Sequence, residues 1–154
     1  MNKKVLIFPL LFLLLLIFSG CSTRNSQEPI NNIKNINNTG INPKADKVEV
    51  FLFHTNNRCA TCIAIGKLSE TTIYEYFQPE IRDGKIEFRE VNIDLPENKE
   101  LSDKFQAVGS ALFINAIYEG SDHISEDVAV WRLTSNETQF KNHLKNILDN
   151  LLGK

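Results

Sequence analysis

The chain has 154 residues, with 17 lysines and arginines against 19 aspartates and glutamates, for a formal charge of −2. That balance offers no basic footprint for nucleic acid, and the length beyond the opening segment suits one domain. The only cysteines are Cys21, Cys59 and Cys62, too few for the disulfide framework of a small secreted scaffold.

Lys3 and Lys4 precede an apolar run from Val5 to Phe18, 14 residues long. Crossing a bilayer takes about 20 apolar residues, so this run suits the hydrophobic region of a signal peptide instead. It ends in Phe18-Ser19-Gly20-Cys21, which resembles the lipobox of bacterial lipoproteins, with Phe18 where that motif prefers Leu. The resemblance implies that residues 1–20 are removed and that Cys21 is acylated as the new N-terminus. An ordinary secretory signal or a short membrane anchor is the other reading; each takes the rest of the chain out of the cytoplasm, and the lipobox reading implies lipid anchorage in the bacterial cell envelope. Removing Lys3 and Lys4 from the 17 basic residues leaves 15 against 19 acidic ones, a formal charge of −4.

With Cys21 taken by lipid, residues 21–46 read as a flexible, disordered tether. Ser22 to Asp46 holds seven asparagines and two prolines and has no hydrophobic period of either kind. Such a stretch cannot bury enough apolar surface to offset its ordering entropy. As a coil it would span roughly 30 Å, enough to hold a domain clear of a membrane. Asn37-Asn38-Thr39 has the form of a glycosylation acceptor, discounted behind a bacterial signal.

The domain is expected over residues 47–154. Val48 to Phe53 is β-branched and aromatic and reads as a buried strand. His54 to Arg58 is a polar loop, and a helix is expected from Cys59 to about Phe77. Asp83-Gly84 is a turn, and Ile86 to Ile93 a second strand whose alternation slips near Glu90. Asp94 with Glu97 has the form of a helix cap, after which Leu101, Phe105 and Val108 line one helical face. Ala111 to Tyr118 and Val128 to Leu133 read as two more strands, with Trp131 as core packing. They are joined by a polar loop from Glu119 to Asp127, whose Asp122, His123, Glu126 and Asp127 form a solvated turn or, less simply, a cation or partner site. Thr134 and Glu137 make a capping box for a terminal helix with its stripe at Phe140, Leu144, Ile147, Leu148 and Leu151, ending at Gly153. Alternating strands and helices followed by a terminal hairpin and helix imply an α/β domain, a central mixed sheet flanked by helices.

The motif that carries chemistry is Cys59-Ala60-Thr61-Cys62, directly after the first strand. A thiolate at a helix N-terminus meets unpaired backbone N–H groups and the positive end of the dipole, which favour the charged form. Cys59 has that place, Arg58 adds a positive charge beside it, and Cys62 lies one turn further on. Nucleophile and resolving thiol are assigned by that position. The same spacing serves zinc, for which only His54, His123 and His143 are at hand, with His143 on the remote terminal helix. An inert structural disulfide is the third possibility.

This order of elements, with Cys-x-x-Cys at the mouth of the first helix, resembles the thioredoxins. Val91-Asn92-Ile93-Asp94 followed by Leu101, Phe105 and Val108 continues the likeness, which covers about residues 48–152. The stretch from His54 to Cys62 is similar to a group of extracytoplasmic bacterial thioredoxin-like proteins labelled nitrophenyl-compound nitroreductase subunits; the fold, and not the label, is carried over. Three departures stand out. Arg58 occupies the place of a Trp, Phe53 that of a buried acid, and no proline follows Glu97 where a cis-proline would face the cysteines. Gly109-Ser110-Ala111 fills that loop and is expected to face Cys59 across a short gap.

The function these features imply is a membrane-tethered thiol–disulfide oxidoreductase acting on protein thiols and disulfides or on a membrane redox partner, with no bound cofactor. His54 shuttles a proton or merely ends a strand; Arg58 tunes the thiolate or is a solvated charge. Related dithiol proteins span about −270 to −120 mV, so the direction of electron flow is not set by the motif. Two alternatives belong to other classes. One is a copper-handling module using Cys59, Cys62 and His54; the other is a non-catalytic thioredoxin-fold subunit that docks on a partner.

Overall fold

The computed structural model describes residues 44–154. The expected signal segment 1–20, Cys21 and the expected tether up to residue 43 lie outside the described residues. Ala45 and Asp46 belong to the domain. Ala45 is buried, its N–H donates to the Leu151 carbonyl at 2.8 Å, and the Asp46 N–H donates to Ile117 at 2.8 Å.

Four strands form one sheet in the order β2-β1-β3-β4. They are β1 (Lys47–His54), β2 (Ile86–Asn92), β3 (Ala111–Tyr118) and β4 (Ser121–Glu126). β1 runs parallel to β2, while β3 is antiparallel to both β1 and β4. Burial on both faces explains why β1 and β3 read as nearly unbroken apolar runs. On one face Val48, Val50 and Leu52 meet α1 (Ala60–Tyr76) and α4 (Glu137–Leu152), through Ile65, Ile73, Phe140, Leu144 and Leu148. On the other face Phe51 and Phe53 pack with Phe113 and with Phe105 of α3 (Lys99–Phe105). Their rings sit 4.8 to 5.9 Å apart, mostly tilted or edge-on, as aromatic quadrupoles favour. A short helix, α2 (Gln78–Arg82), leads from α1 towards β2.

The first strand, long helix, second strand and terminal helix lie where the sequence puts them. Five other expectations are corrected. The fourth strand is Ser121–Glu126, inside the expected polar loop, and Val128–Arg132 is a 3-10 turn. Glu119 and Gly120 both have positive φ, 51° and 77°, and pair Tyr118 with Ser121 through a two-residue hairpin turn. As an edge strand, β4 needs little apolar content, so its composition masks it. Once β4 covers the edge of β3, Val128 to Leu133 has no strand to pair with. Val130 is buried, Trp131 packs part-buried on the core as expected, and Val128 stays exposed. Asp127 is buried rather than a solvated turn residue: its carboxylate accepts from the Ala129 N–H and lies 2.8 Å from Nε2 of His143.

Asp94 does not cap α3; its carboxylate accepts from the Asn56 N–H at 2.7 Å, and Pro96–Asn98 forms a 3-10 turn first. Val108 does not share the face of Leu101 and Phe105, because the helix ends at Phe105 in a left-handed Gln106, leaving Val108 95% exposed.

The cap of α4 is Asn136, whose side chain accepts from the Gln139 N–H at 3.0 Å, and not Thr134. The preceding 3-10 turn takes up Leu133, and Asn136 N–H closes back onto its carbonyl, so the helix starts two residues later than the box suggests. Asn136→Ala is therefore expected to cost about 1 kcal/mol in chemical denaturation and Thr134→Ala distinctly less; the opposite ranking would reinstate Thr134. Gly153 ends the helix at φ 68°, as its position implies.

Candidate functional site

The parallel strands β1 and β2 end at His54 and Asn92, and β3 begins at Ala111, paired with Phe53. Everything of chemical interest gathers at this end of the sheet. The loop from Thr55 to Arg58 is tied down by Asn56, whose N–H donates to Asp94 and whose side-chain oxygen accepts from Asn92 Nδ2 at 2.8 Å. The loop thus delivers Cys59 to the mouth of α1.

Cys59 is the N-cap residue of α1: its φ and ψ are extended, and its Sγ accepts from the Cys62 N–H at 3.1 Å. Sulfur here takes the role that a serine or aspartate oxygen plays at ordinary caps. Cys59 is exposed, whereas Cys62 is buried at 7% exposure. The two are joined as a disulfide with Cα atoms 5.1 Å apart. No acidic residue occupies the first turn of α1 to oppose a thiolate through the dipole.

Arg58 is not a free charge beside Cys59. Its guanidinium binds Glu90 of β2 at 2.8 Å, and its Nε is buried with no acceptor. The His54 Nδ1–H donates to the Thr55 carbonyl at 3.0 Å, which leaves Nε2 as the nitrogen able to take a proton, 4.0 Å from the same Glu90 carboxylate. Phe53, standing where the resemblance expects an acid, faces α3 in the aromatic cluster. At this level of the sheet it is Leu52 and its register partner Glu90 that face α1. Glu90 therefore brings a carboxylate under α1 from a different strand.

Sequence reasoning passed over two residues here. Glu90 breaks the inward alternation begun by Ile86 and Phe88, so the slip in the pattern was the signal of a charged residue at an inward position. Gly66, in the middle of α1, allows the contact. A β-carbon there would lie 2.5 Å from Leu52 Cδ2, 2.6 Å from Glu90 Oε1 and 3.1 Å from an Arg58 terminal nitrogen. An isolated glycine inside a helical segment carries such a packing reason often enough to be a usable sign.

Gly109 and Ser110 are part-buried in the loop that enters β3 at the cysteine end of the sheet. Gly109 has open space around it and no positive φ, so nothing local demands glycine. Every peptide bond among the described residues is trans. Exposed apolar side chains stand next in sequence to three of the residues at this end of the sheet: Ile63 (51%) after Cys62, Leu95 (39%) after Asp94 and Val108 (95%) before Gly109. Among the described residues, no three His, Cys, Asp or Glu side chains gather as a metal-ligand group. His143 is engaged with Asp127, and His123 stacks edge-on against Tyr118 on β3 and β4.

No protein-family model matches the chain, and no curated protein matches it by sequence. Solved structures similar to it include a thioredoxin from Thermus thermophilus, at 12% identity over 68% of this chain and 76% of that one, with a TM-score of 0.44. An uncharacterized thioredoxin-like protein from Clostridium perfringens is 18% identical over 80% of this chain and 91% of that one, with a TM-score of 0.46. By its strand order, its single reversed strand β3 and a cysteine pair capping the helix after the first strand, the described chain has a thioredoxin-like fold.

Proposed function

We propose that this protein is a thiol–disulfide oxidoreductase of the bacterial cell envelope, held to a membrane by lipid on Cys21 and working through Cys59 and Cys62. The observation that carries the chemistry is the pairing of an exposed helix-capping Cys59 with a buried Cys62 one turn inside, at bonding distance. In the reducing direction the Cys59 thiolate attacks one sulfur of a substrate disulfide. That bond breaks, one substrate thiolate leaves, and a mixed disulfide forms. Cys62 then gives its proton to a base or to water and attacks Cys59 Sγ, releasing the second substrate thiolate. Two electrons pass from the dithiol to the substrate, leaving the Cys59–Cys62 disulfide. The same steps reversed oxidise a dithiol.

The exposed apolar side chains of Ile63, Leu95 and Val108, each next in sequence to a residue at the cysteine end of the sheet, support protein substrates over small charged thiols. Outside the cytoplasm no cytosolic reductase reaches the site, so a reducing role requires an electron donor that spans the membrane. Membership of the group labelled nitroreductase subunits rests on residues 54–62 alone, and the proposed activity does not use it.

The activity is tested by insulin reduction with a dithiol donor: full-length protein should be active and Cys59→Ser inactive. Copper retained by the purified protein, without reductase activity, would favour the metal-handling alternative. The anchor is tested separately. Globomycin, which blocks the lipoprotein signal peptidase, should cause precursor to accumulate, and Cys21→Ala should abolish lipid labelling. Normal processing under both conditions would remove the anchor.

A further inference from the structure

Glu90 and Arg58 form an ion pair in a place that a purely structural salt bridge has little reason to occupy. Arg58 precedes Cys59, yet its guanidinium runs back along α1 to lie 3.1 Å from the β-carbon position of Gly66. Cys62 and Gly66 are four residues apart, both buried on one face of the helix, separated by about 6 Å along its axis. The guanidinium and the Glu90 carboxylate thus meet α1 at Gly66, about one helical turn from Cys62 and about two from Cys59 along the same face. The arrangement costs something: the Arg58 Nε–H is buried without an acceptor, and α1 carries a glycine in mid-helix to admit the pair.

We propose that the Arg58–Glu90 pair is an electrostatic governor of the dithiol, Glu90 being a positioning residue that offsets the pull of Arg58 on the thiolate. The inference rests on the redox reading of Cys59 and Cys62. Reduction by glutathione consumes two glutathione thiols and the protein disulfide, and yields the protein dithiol and one glutathione disulfide. The reduced form alone can hold a thiolate. A positive charge left unbalanced beneath it favours the reduced form, and a negative charge disfavours it. The groups facing the Glu90 carboxylate are Arg58 from the loop, His54 from the end of β1 and the first two turns of α1.

The test is a charge cycle in the full chain carrying Cys21→Ala, so that only Cys59 and Cys62 report. Glu90→Gln should raise the equilibrium constant for reduction by glutathione about fivefold, and Arg58→Gln should lower it by a similar factor. At 29.6 mV per tenfold this is about 20 mV in opposite directions. The double variant, with both charges gone, should return towards wild type. Alkylation of reduced protein against pH should show the midpoint of thiolate formation falling in Glu90→Gln and rising in Arg58→Gln. Both effects should shrink in high salt, since the pair is part-exposed. Same-sign shifts in the two single variants, or none, would overturn the proposal and leave the pair as a clamp on the loop. The alkylation arm needs no substrate turnover. Opposed midpoints without any glutathione exchange would therefore uphold the charge effect while refuting the oxidoreductase reading.

Discussion

Replacing Cys62 with serine is expected to turn a catalyst into a trap. Cys59 is exposed and caps α1, where backbone N–H groups and the dipole favour its thiolate; Cys62 is buried a turn further in, where burial disfavours charge. On this geometry Cys59 attacks first and Cys62 resolves. Without Cys62, the mixed disulfide must wait for an outside thiol. An intramolecular thiol acts at a very high effective concentration, so turnover should fall by about a thousandfold or more at millimolar external thiol. Covalent complexes through Cys59 should accumulate in the envelope, visible on non-reducing gels and lost with reductant. Cys59→Ser should be equally inactive yet trap little. At about pH 6, below the ordinary thiol range, iodoacetamide should label reduced protein at Cys59 first. Trapping mainly through Cys62, or equal labelling of the two thiols, would reverse the assignment.

Gly66→Ala should destabilise the domain, although the same change in an open helix stabilises it by about 1 kcal/mol. The new methyl group would meet Leu52 Cδ2 at 2.5 Å and Glu90 Oε1 at 2.6 Å, separations that real β-carbons do not tolerate. Leu52 is 1% exposed and locked between α1 and β1, so it cannot swing away. The Glu90 carboxylate can move, but only by leaving Arg58. Overpacking of this kind costs about 1–3 kcal/mol, which set against the gain in helix propensity leaves a net loss of up to about 2 kcal/mol. Urea denaturation measures it. A paired Glu90→Ala should recover part of the loss by vacating the space, whereas Glu90→Ala alone should cost little, being a part-exposed pair. A stabilised Gly66→Ala would mean that α1 does not press on β2 as described.

What the sequence determined alone was whatever depends on local period and local chemistry. Val48 to Phe53, β-branched and aromatic, read as a buried strand. The stripe from Phe140 to Leu151 could only be an amphipathic helix, and a cysteine opening a helix after a strand could only stand at its N-terminus. These follow from side-chain spacing and backbone hydrogen bonding within a few residues. What failed was set by partners distant in the chain. Ser121–Glu126 became a strand because β3 offered an unpaired edge, not because its own residues favour one, and that pairing left Val128–Arg132 to coil into a 3-10 turn. Asn136 displaced Thr134 as cap because the turn before it used two residues. Arg58 was legible as a charge beside Cys59, but not as half of an ion pair. Its partner lies 32 residues away on β2, and only the parallel register Leu52–Glu90, together with the missing side chain at Gly66, brings that carboxylate beneath the helix. The dithiol could be read from four consecutive residues; the charges that surround it are a property of the packed sheet and helix.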